Sequence, residues 1–276
     1  MSDGNQSGQQ RRDTMTDSFP YEVKEYSAQG ARTVAIEAIR EVPLTIYLNG
    51  REVVTLLCTG KYPRHLAVGF LKSDALITDP AQLAGVSIKD EGERITADVT
   101  VHHDPFSGGR TIQRSITSGC GKGTNFDRNV ETISKRRVSS TLKVRPAQIL
   151  ALAAELKRRS TLYDRTRGCH NSSLCTPDEM LLFREDIGRH NAIDMIVGEC
   201  FLDGIETTDK MIVSTGRVAS EILLKTVRIG VSLLASTAVA TSFSVELARK
   251  IGMTLIGNIK ADSFWVYNDP GRILAD

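Results

Sequence analysis

The chain has 276 residues, of which 41% are hydrophobic and 25% are charged, and its formal net charge at pH 7 is +2. This composition is typical of a globular protein with one large domain or two moderate ones. A charge so close to zero argues against a dedicated nucleic-acid binder, which presents a strongly basic face. No apolar run is long enough to span a membrane, and the polar N-terminus lacks the apolar core of a secretory signal. A cytoplasmic location is therefore expected.

The N-terminal part of the chain is predicted to be a polar tail followed by a β-rich unit. Residues 1–18 lack apolar residues in any periodic pattern, and we expect them to be disordered. Residues 19–105 form the predicted β-rich subdomain, because Asn49-Gly50 separates two apolar runs and is a strong hairpin signal. A second strand pair is expected to turn at Glu91-Gly92, and one helix is predicted from Arg64 to Leu76.

Residues 106–145 are predicted to be a mobile, glycine-rich loop and connection, because hydrophobic periodicity disappears there. Cys120 lies within it between Gly119 and Gly121, and Lys122 follows two residues later. A nearby lysine favours the thiolate, and thiolates are both the nucleophiles and the sulfur carriers among cysteine species. Cys120 is therefore the candidate reactive residue.

Residues 146–276 are predicted to form an α/β domain. Pro146 begins a helix, and from Met180 onward short apolar runs alternate with helical patterns across short connections. Such alternation is typical of a mostly parallel sheet covered by helices. Ligands of open α/β sheets bind beyond the carboxyl ends of the strands.

Polar residues are concentrated at those predicted strand ends. Glu185 to Ala192 carries acids, a cation, an imidazole and a carboxamide, and Thr215-Gly216-Arg217 closes the next strand. Gly216 would let backbone N–H groups approach an anion, and Arg217 could bind phosphate bidentately. Further such loops follow the last two predicted parallel strands. Four loops of this kind predict a phosphate-bearing or nucleotide-like ligand, although neither a P-loop nor a G-x-G-x-x-G motif is present.

The remaining cysteines suggest a metal site only weakly. Cys169-His170 and Cys175 have no second closely spaced pair, and a structural zinc site needs four ligands. The His-x-Glu and Pro-Cys-x-x-Cys pattern of zinc deaminases is also absent. We therefore expect no structural metal and no hydrolytic deaminase, and we expect Cys58 and Cys200 to be small core residues.

The strand-end motifs resemble those of a known family. Residues Glu185 to Asp194, which read Glu-Asp-Ile-Gly-Arg-His-Asn-Ala-Ile-Asp, are similar to the central signature of the FdhD family of formate dehydrogenase accessory sulfur carriers. The resemblance runs from about Val42 to Tyr267. Its further pieces are Thr215-Gly216-Arg217 with Ser220-Glu221, Thr241 with Val245-Glu246-Leu247-Ala248, and Leu255-Ile256-Gly257.

The resemblance implies a fold, a reaction and a set of partners. The implied fold is a β-rich N-terminal subdomain joined to a three-layer α/β/α domain similar to the cytidine deaminase fold without its zinc, in a homodimer. The implied role is to accept a persulfide from a cysteine desulfurase and to pass sulfur to the bis-molybdopterin guanine dinucleotide (bis-MGD) cofactor of molybdenum or tungsten. That cofactor then enters formate dehydrogenase.

On this basis Cys120 is the predicted persulfide carrier, and a larger set of residues is predicted to bind the cofactor. The predicted cofactor-binding residues are His170, Asp186, Arg189, His190, Asn191, Arg217, Thr241, Asn258, Ile259, Lys260, Ala261, Asp262 and Ser263.

An alternative function remains open. The family loop usually carries Cys-x-x-Cys, whereas this chain has Cys120-Gly121-Lys122-Gly123 and so lacks the second thiol. The alternative is a cofactor-binding chaperone for formate dehydrogenase without sulfur-transfer chemistry of its own.

Overall fold

The computed structural model of the chain describes residues 16–103 and 137–275, together with residues 106, 131, 133 and 135. The strands are β1 (Ser18–Ser27), β2 (Gly30–Ile39), β3 (Val42–Leu48), β4 (Arg51–Cys58), β5 (Leu83–Asp90), β6 (Ile95–Val101), β7 (His170–Cys175), β8 (Met180–Asp186), β9 (Met211–Ser214), β10 (Leu233–Ser236), β11 (Thr254–Gly257) and β12 (Trp265–Asn268). The α-helices are α1 (Pro63–Ser73), α2 (Pro146–Arg159), α3 (Thr161–Thr166), α4 (Arg189–Asp203), α5 (Ser220–Arg228) and α6 (Ser242–Ile251).

The N-terminal unit combines a two-stranded hairpin with a four-stranded sheet. Strands β1 and β2 pair only with each other among the described residues, and the second sheet has the order β4-β3-β6-β5. The predicted turn between β3 and β4 is confirmed, since Asn49 and Gly50 have φ angles of 48° and 75°. Both values lie in the left-handed region that a type I′ turn requires. Gly92, at φ 88°, likewise turns the chain between β5 and β6. Strand β1 begins at Ser18, the last residue of the predicted tail.

The C-terminal unit is built on a six-stranded sheet of order β12-β11-β10-β9-β7-β8. Strands β9, β10 and β11 are parallel neighbours, whereas β7 is antiparallel to both β8 and β9, and β12 is antiparallel to β11. The expectation of a mostly parallel sheet was therefore wrong, because most of its adjacent strand pairs are antiparallel. The cause is the polar segment His170–Cys175, which forms β7 between β8 and β9. Four strands, β8 to β11, nevertheless point the same way.

Helices cover both faces of this sheet. Ile212, Leu234 and Leu255 point to one face, where their cluster includes residues of α4, α5 and α6. Their neighbours in sequence, such as Val213 and Leu233, point to the opposite face and pack with α2. This alternation follows from the two-residue period of a strand. The described residues thus form three layers in the order helix, sheet, helix, as the sequence predicted.

Helices α1 and α4 join the two units. Met195 and Phe201 of α4 belong to the apolar core of the four-stranded sheet. The helices cross at Gly69 and Gly198, where a Cβ on Gly69 would collide with the Asp194 carbonyl oxygen. Only glycine allows backbones to approach this closely. The β-rich unit and the α/β unit therefore pack directly against each other through these two helices.

The predicted loop of residues 106–145 lies largely outside the described residues, and Cys120 is among those outside. Four of its described hydrophobic side chains are buried. Phe106 lies in the core of the four-stranded sheet, Ile133 in the cluster beneath α4 to α6, and Leu142 and Val144 in the cluster beside α2. Val144 forms a parallel bridge with Ile273. The segment therefore contacts both cores at these points.

Candidate functional site

The carboxyl ends of β8, β9, β10 and β11 lie at one edge of the six-stranded sheet. His170, at the start of β7, pairs with Asp186 at the end of β8, and Ser172 pairs with Ser214 at the end of β9. The antiparallel strand β12 begins opposite Gly257, at the end of β11. All of the predicted cofactor-binding residues therefore lie in or beside the loops at this edge, as expected from open α/β sheets. They are His170, Asp186, Arg189, His190, Asn191, Arg217, Thr241 and Asn258 to Ser263.

Asp186 is buried at the centre of a hydrogen-bonded junction. Its Oδ2 accepts bonds from the Thr59 backbone N–H (2.8 Å) and the Thr59 hydroxyl (3.0 Å). Its Oδ1 accepts bonds from the Gly188 N–H (2.9 Å) and Asn191 Nδ2 (2.7 Å). Burial raises the pKa of Asp186, while these donors act in the opposite direction. Because every oxygen is occupied by the protein, Asp186 positions the turn and does not present a free carboxylate to a ligand.

Asn191 extends the same junction. Its Nδ2 also donates to the Leu57 carbonyl oxygen at 2.8 Å, so the first turn of α4 is tied to the end of β4. The side chain is 7% exposed. Asp186 and Asn191 together hold the α4 N-terminus against the N-terminal unit, which fixes the direction of Arg189 and His190.

Four basic side chains converge at this edge. Burial lowers the pKa of the Arg189 guanidinium, and the charge of Arg217 lowers it further. Burial also lowers the pKa of His170, and the next contributions come from Arg189 and His190. Arg189 Nε is buried and has no hydrogen-bond partner among the described residues. A nearby anion favours the charged form of a cation, so an anion bound beside Arg189 and His170 would oppose both of these shifts.

Glu221 is the acidic group that faces these cations. Its Oε2 lies 3.1 Å from His190 Nε2, and contact with His190 is the main cause that lowers the pKa of Glu221. Arg189 acts on Glu221 in the same direction. Glu221 is thus a single carboxylate beside His190 and Arg189. This residue was not among the predicted site residues.

Gly216 makes room for Arg189. A Cβ at Gly216 would come within 2.9 Å of both Cβ and Cδ of Arg189. The sequence suggested that this glycine lets backbone N–H groups approach an anion. In the structure it also lets the Arg189 side chain lie beneath the loop that carries Arg217.

The loops after β10 and β11 complete the edge. Thr241 is the N-cap of α6, and its Oγ1 lies 2.9 Å from Ser244 Oγ. Asn258 has φ 51° and donates its N–H to the Ala238 carbonyl oxygen at 2.9 Å. Ile259 is buried in the core beside α2. The side chains available to a ligand from this side are the exposed ones of residues 260–263, which a bond from Lys260 N–H to the Ser263 carbonyl oxygen (2.8 Å) holds in a turn.

The described thiols are all buried. Burial raises the pKa of Cys58, Cys169 and Cys200 to about 12 and that of Cys175 to about 11. Such groups are neutral thiols at pH 7 and are poor nucleophiles. Cys58 and Cys200 are core residues, as predicted. Of the five cysteines in the sequence, Cys120 is the one that lies outside the described residues.

The suggested zinc ligands are separated by the strand that contains them. His170 begins β7 and Cys175 ends it, a span of roughly 17 Å at about 3.3 Å per residue. A zinc ion binds its ligands within about 2.3 Å. These two side chains therefore cannot share a metal ion.

Glu185 lies beside Asp186 at the end of β8, and its raised pKa could not be inferred from the sequence. Burial raises its pKa to about 7, and the nearby charge of Asp17 adds to that effect while Lys61 opposes it. Its Oε1 is buried without a hydrogen-bond partner. Glu185 and Asp186 are adjacent in sequence, yet one is satisfied by four donors and the other is left with an unpaired oxygen.

A chain with this three-layer unit beside a smaller β-rich unit belongs to the class of mixed α/β proteins, and several of its basic side chains lie at one edge of the larger sheet. Comparison with known proteins is more specific. Residues 39–274 match the model of the FdhD/NarQ family. The sulfur carrier protein FdhD of Bacillus subtilis is 37% identical over 257 residues, which cover 93% of this chain and 96% of that protein. The chain therefore belongs to the FdhD/NarQ family.

Two further comparisons agree with this assignment. The sulfur carrier protein FdhD of Geobacillus kaustophilus is 37% identical over 86% of this chain and 90% of its own length. A crystal structure of a candidate formate dehydrogenase accessory protein from Desulfotalea psychrophila has the same fold, with a TM-score of 0.76 and 22% identity. It covers 94% of this chain and 100% of that one. In the described part of the chain, no helix is long and apolar enough to cross a membrane.

Proposed function

We propose that this protein accepts persulfide sulfur from a cysteine desulfurase and delivers it to the bis-MGD cofactor of molybdenum or tungsten before that cofactor enters formate dehydrogenase. Family membership and the names of the curated relatives support a sulfur-carrying role. The observation that carries the cofactor part is the convergence of His170, Arg189, His190 and Arg217 at one sheet edge.

The charge of the site suits this client molecule. A dinucleotide cofactor presents pyrophosphate groups, and guanidinium groups such as those of Arg189 and Arg217 bind phosphate through bidentate, charge-assisted hydrogen bonds. The exposed residues 260–263 lie at the same edge, where they are accessible to an extended ligand. Asp186 and Asn191 serve this proposal by positioning Arg189 and His190, not by touching the cofactor.

Cys120 supplies the carrier thiol. The four described cysteines are buried and neutral, and only a thiolate attacks a persulfide efficiently. The Cys120 thiolate attacks the terminal sulfur of the desulfurase persulfide. The S–S bond of that persulfide breaks, the desulfurase cysteine leaves as a thiolate, and the persulfide is then on Cys120.

Delivery of the sulfur consumes two electrons. Releasing the terminal sulfur as sulfide cleaves the Cys120 persulfide and requires a reductant. The segment Cys120-Gly121-Lys122-Gly123 holds no second thiol, so an external thiol reductant supplies these electrons. In the same proposal the protein is a cytoplasmic homodimer that meets its desulfurase and the apo-dehydrogenase in turn.

Nucleotide binding tests the cofactor site. We expect Arg217→Gln to weaken the binding of GDP, used as a fragment of the cofactor, roughly tenfold, because a charge-assisted phosphate contact of about 1.4 kcal/mol is lost. Isothermal titration calorimetry measures this change. Arg94→Gln, an exposed arginine in the β5–β6 turn, is the matched control and leaves the affinity unchanged. Equal GDP affinity for the parent and Arg217→Gln would contradict the assignment of this edge.

The missing second thiol in the segment that carries Cys120 favours one other candidate function. A cofactor-binding chaperone without sulfur chemistry would hold bis-MGD at the same edge and hand it to the dehydrogenase. In that case Cys120→Ala supports full formate dehydrogenase activity in a reconstituted maturation assay. Loss of activity by Cys120→Ala with GDP binding retained would eliminate the chaperone and keep the sulfur carrier.

A further inference from the structure

Trp265 is the single tryptophan of the chain, and it lies exposed at the sheet edge that carries the basic residues. It begins β12 and pairs with Gly257, the last residue of β11. Trp265 is 56% exposed, although tryptophan is highly buried in most proteins. Aromatic side chains commonly line ligand sites, so a large one left in water at this edge is a candidate contact for the ligand.

Tyr267 supports the indole of Trp265 from one side. The two residues are two positions apart on β12 and therefore share a face of the strand. Their ring centroids are 6.5 Å apart, and the ring planes are nearly perpendicular, at 84°. Tyr267 is partly buried against the cluster beneath α4 to α6. The indole thus contacts the protein on its Tyr267 side, and more than half of Trp265 stays open to a ligand.

A continuous set of contacts joins Trp265 to the loop of Arg217. The Ala240 N–H donates to the Tyr267 hydroxyl oxygen at 3.4 Å. Ala240 also forms a parallel bridge with Val218, the residue that follows Arg217. Three strand spacings separate β9 from β12, which is about 14 Å at about 4.8 Å per spacing. The guanidinium-bearing loop and the indole therefore lie along one edge with a single loop between them.

The chemical character of this edge changes from basic to apolar along its length. The four basic side chains described above belong to the loops and strand ends of β7, β8 and β9. The exposed residues around β10 to β12 include Val239 and Trp265, which are 42% and 56% exposed. The turn of residues 260–263 contains one lysine and one aspartate and so adds no formal net charge. A nucleotide has the same polarity, with charged phosphates at one end and a flat, uncharged base at the other.

We propose that Trp265 is the stacking platform for a nucleobase of the ligand, whose phosphate groups lie toward Arg217. This inference rests on the proposed function, because it takes a nucleotide-bearing molecule as the ligand of this edge. Bases stack on aromatic side chains, and the stacking favours binding of any base because every base has a π-face. Trp265 therefore contributes affinity for the base without selecting guanine, and the stacked base covers the exposed indole.

Comparing a nucleotide with inorganic pyrophosphate separates the two ends of the site. Isothermal titration calorimetry of the full chain should show that Trp265→Ala binds GDP roughly tenfold more weakly than the parent, equivalent to about 1.4 kcal/mol. ADP should lose affinity by a similar factor, whereas pyrophosphate, which has no base, should bind the parent and the variant equally. Trp265→Phe keeps an aromatic face and should recover most of the affinity for GDP.

Tyr26→Ala is the matched control, because Tyr26 is an aromatic residue of the β1–β2 hairpin and is 76% exposed. It should bind GDP as the parent does. Equal affinity of Trp265→Ala and the parent for GDP would overturn the platform, and so would an equal loss of affinity for GDP and for pyrophosphate.

Intrinsic fluorescence gives a direct signal from the proposed contact. Because the chain has one tryptophan, its tryptophan emission reports on Trp265 alone. We expect GDP to quench this emission with the same Kd that calorimetry gives, and pyrophosphate to leave it unchanged. Binding of GDP to the parent without any change in emission would contradict stacking on the indole.

Failure of the platform can be distinguished from failure of the proposed function. If Arg217→Gln binds GDP more weakly than the parent while Trp265→Ala binds it equally, the phosphate site stands and the platform is wrong. If the parent binds neither GDP nor pyrophosphate, the nucleotide assignment of this edge fails, and the platform fails with it.

Discussion

At the scale of single residues, the two adjacent acids at the end of β8 differ in their hydrogen bonding. Asp186 is enclosed by Thr59, Gly188 and Asn191, whereas Glu185 keeps one buried oxygen unpaired. The sequence showed two adjacent acids at a strand end and suggested that the second contacts a ligand. Alternation along a strand sends such neighbours to opposite faces, and only the packed structure shows which face contains the donors.

Replacement of Asp186 should destabilise the protein strongly. Asp186→Ala leaves the Thr59 and Gly188 N–H groups buried without acceptors, and we expect a loss of roughly 3 kcal/mol in the free energy of unfolding. Urea denaturation followed by circular dichroism measures it. Asp98→Asn, an exposed aspartate on β6, is the control and should change stability by less than about 0.5 kcal/mol. A loss of less than 1 kcal/mol for Asp186→Ala, on the order of one surface bond, would refute the supporting role.

The raised pKa of Glu185 predicts that the free energy of unfolding depends on pH. Burial raises its pKa to about 7, and the groups that face it are Lys61, Asp17 and Arg165. Between the unfolded pKa of about 4.3 and about 7, the folded chain holds a proton that the unfolded chain has lost. The stability that Glu185 contributes is therefore complete below that window and is lost as pH rises through it.

The neutral variant Glu185→Gln removes this dependence. We expect it to equal the parent near pH 4 and to exceed it at pH 8 by on the order of 1–2 kcal/mol in the free energy of unfolding. Urea denaturation across this pH range measures the difference between the two proteins. Parallel stability curves would show that Glu185 ionises normally in the folded chain.

At the scale of elements, hairpins with strong turn signals were predictable and polar strands were not. Asn49-Gly50 identified the β3–β4 turn because few residues tolerate two successive positive φ angles. Strand β7 carried no such signal, because its buried positions are occupied by polar serines. Their hydroxyl groups are hydrogen-bonded inside the protein: Ser172 Oγ lies 2.9 Å from Ser214 Oγ, and Ser173 Oγ donates to the Val213 carbonyl oxygen at 3.1 Å. Strand β1 was missed because its apolar residues face outward among charged ones.

Where α1 and α4 cross, we expect one added methyl group to destabilise the protein strongly. Gly69→Ala would push a Cβ into the Asp194 backbone, and we expect a destabilisation of at least about 3 kcal/mol because two packed helices must separate. Thermal unfolding measures the change. Arg64→Ala, on the exposed side of the same helix, provides the comparison and should cost no more than about 0.5 kcal/mol. A tolerated Gly69→Ala would mean that the two units pack more loosely than their shared core indicates.

At the scale of the whole molecule, the position of the site followed from topology. Loops after strands that point the same way meet at one edge, so Arg189, Arg217 and the residues after Gly257 could be grouped from the order of elements alone. His170, at the start of β7, was included only through the family resemblance. The charge balance could not be predicted in this way. It depends on Glu221 lying beside His190 and on Gly216 admitting Arg189, and both are contacts between different loops.

The burial of the four described cysteines leaves Cys120 as the candidate sulfur carrier, and persulfide loading tests this most directly. The parent, Cys120→Ala and the control Cys169→Ala are each incubated with cysteine desulfurase, cysteine and pyridoxal phosphate. Intact-protein mass spectrometry then reports whether one sulfur atom has been added. We predict that the parent and Cys169→Ala gain sulfur and that Cys120→Ala does not. Equal gain by Cys120→Ala and the parent would contradict the assignment of Cys120 as the carrier.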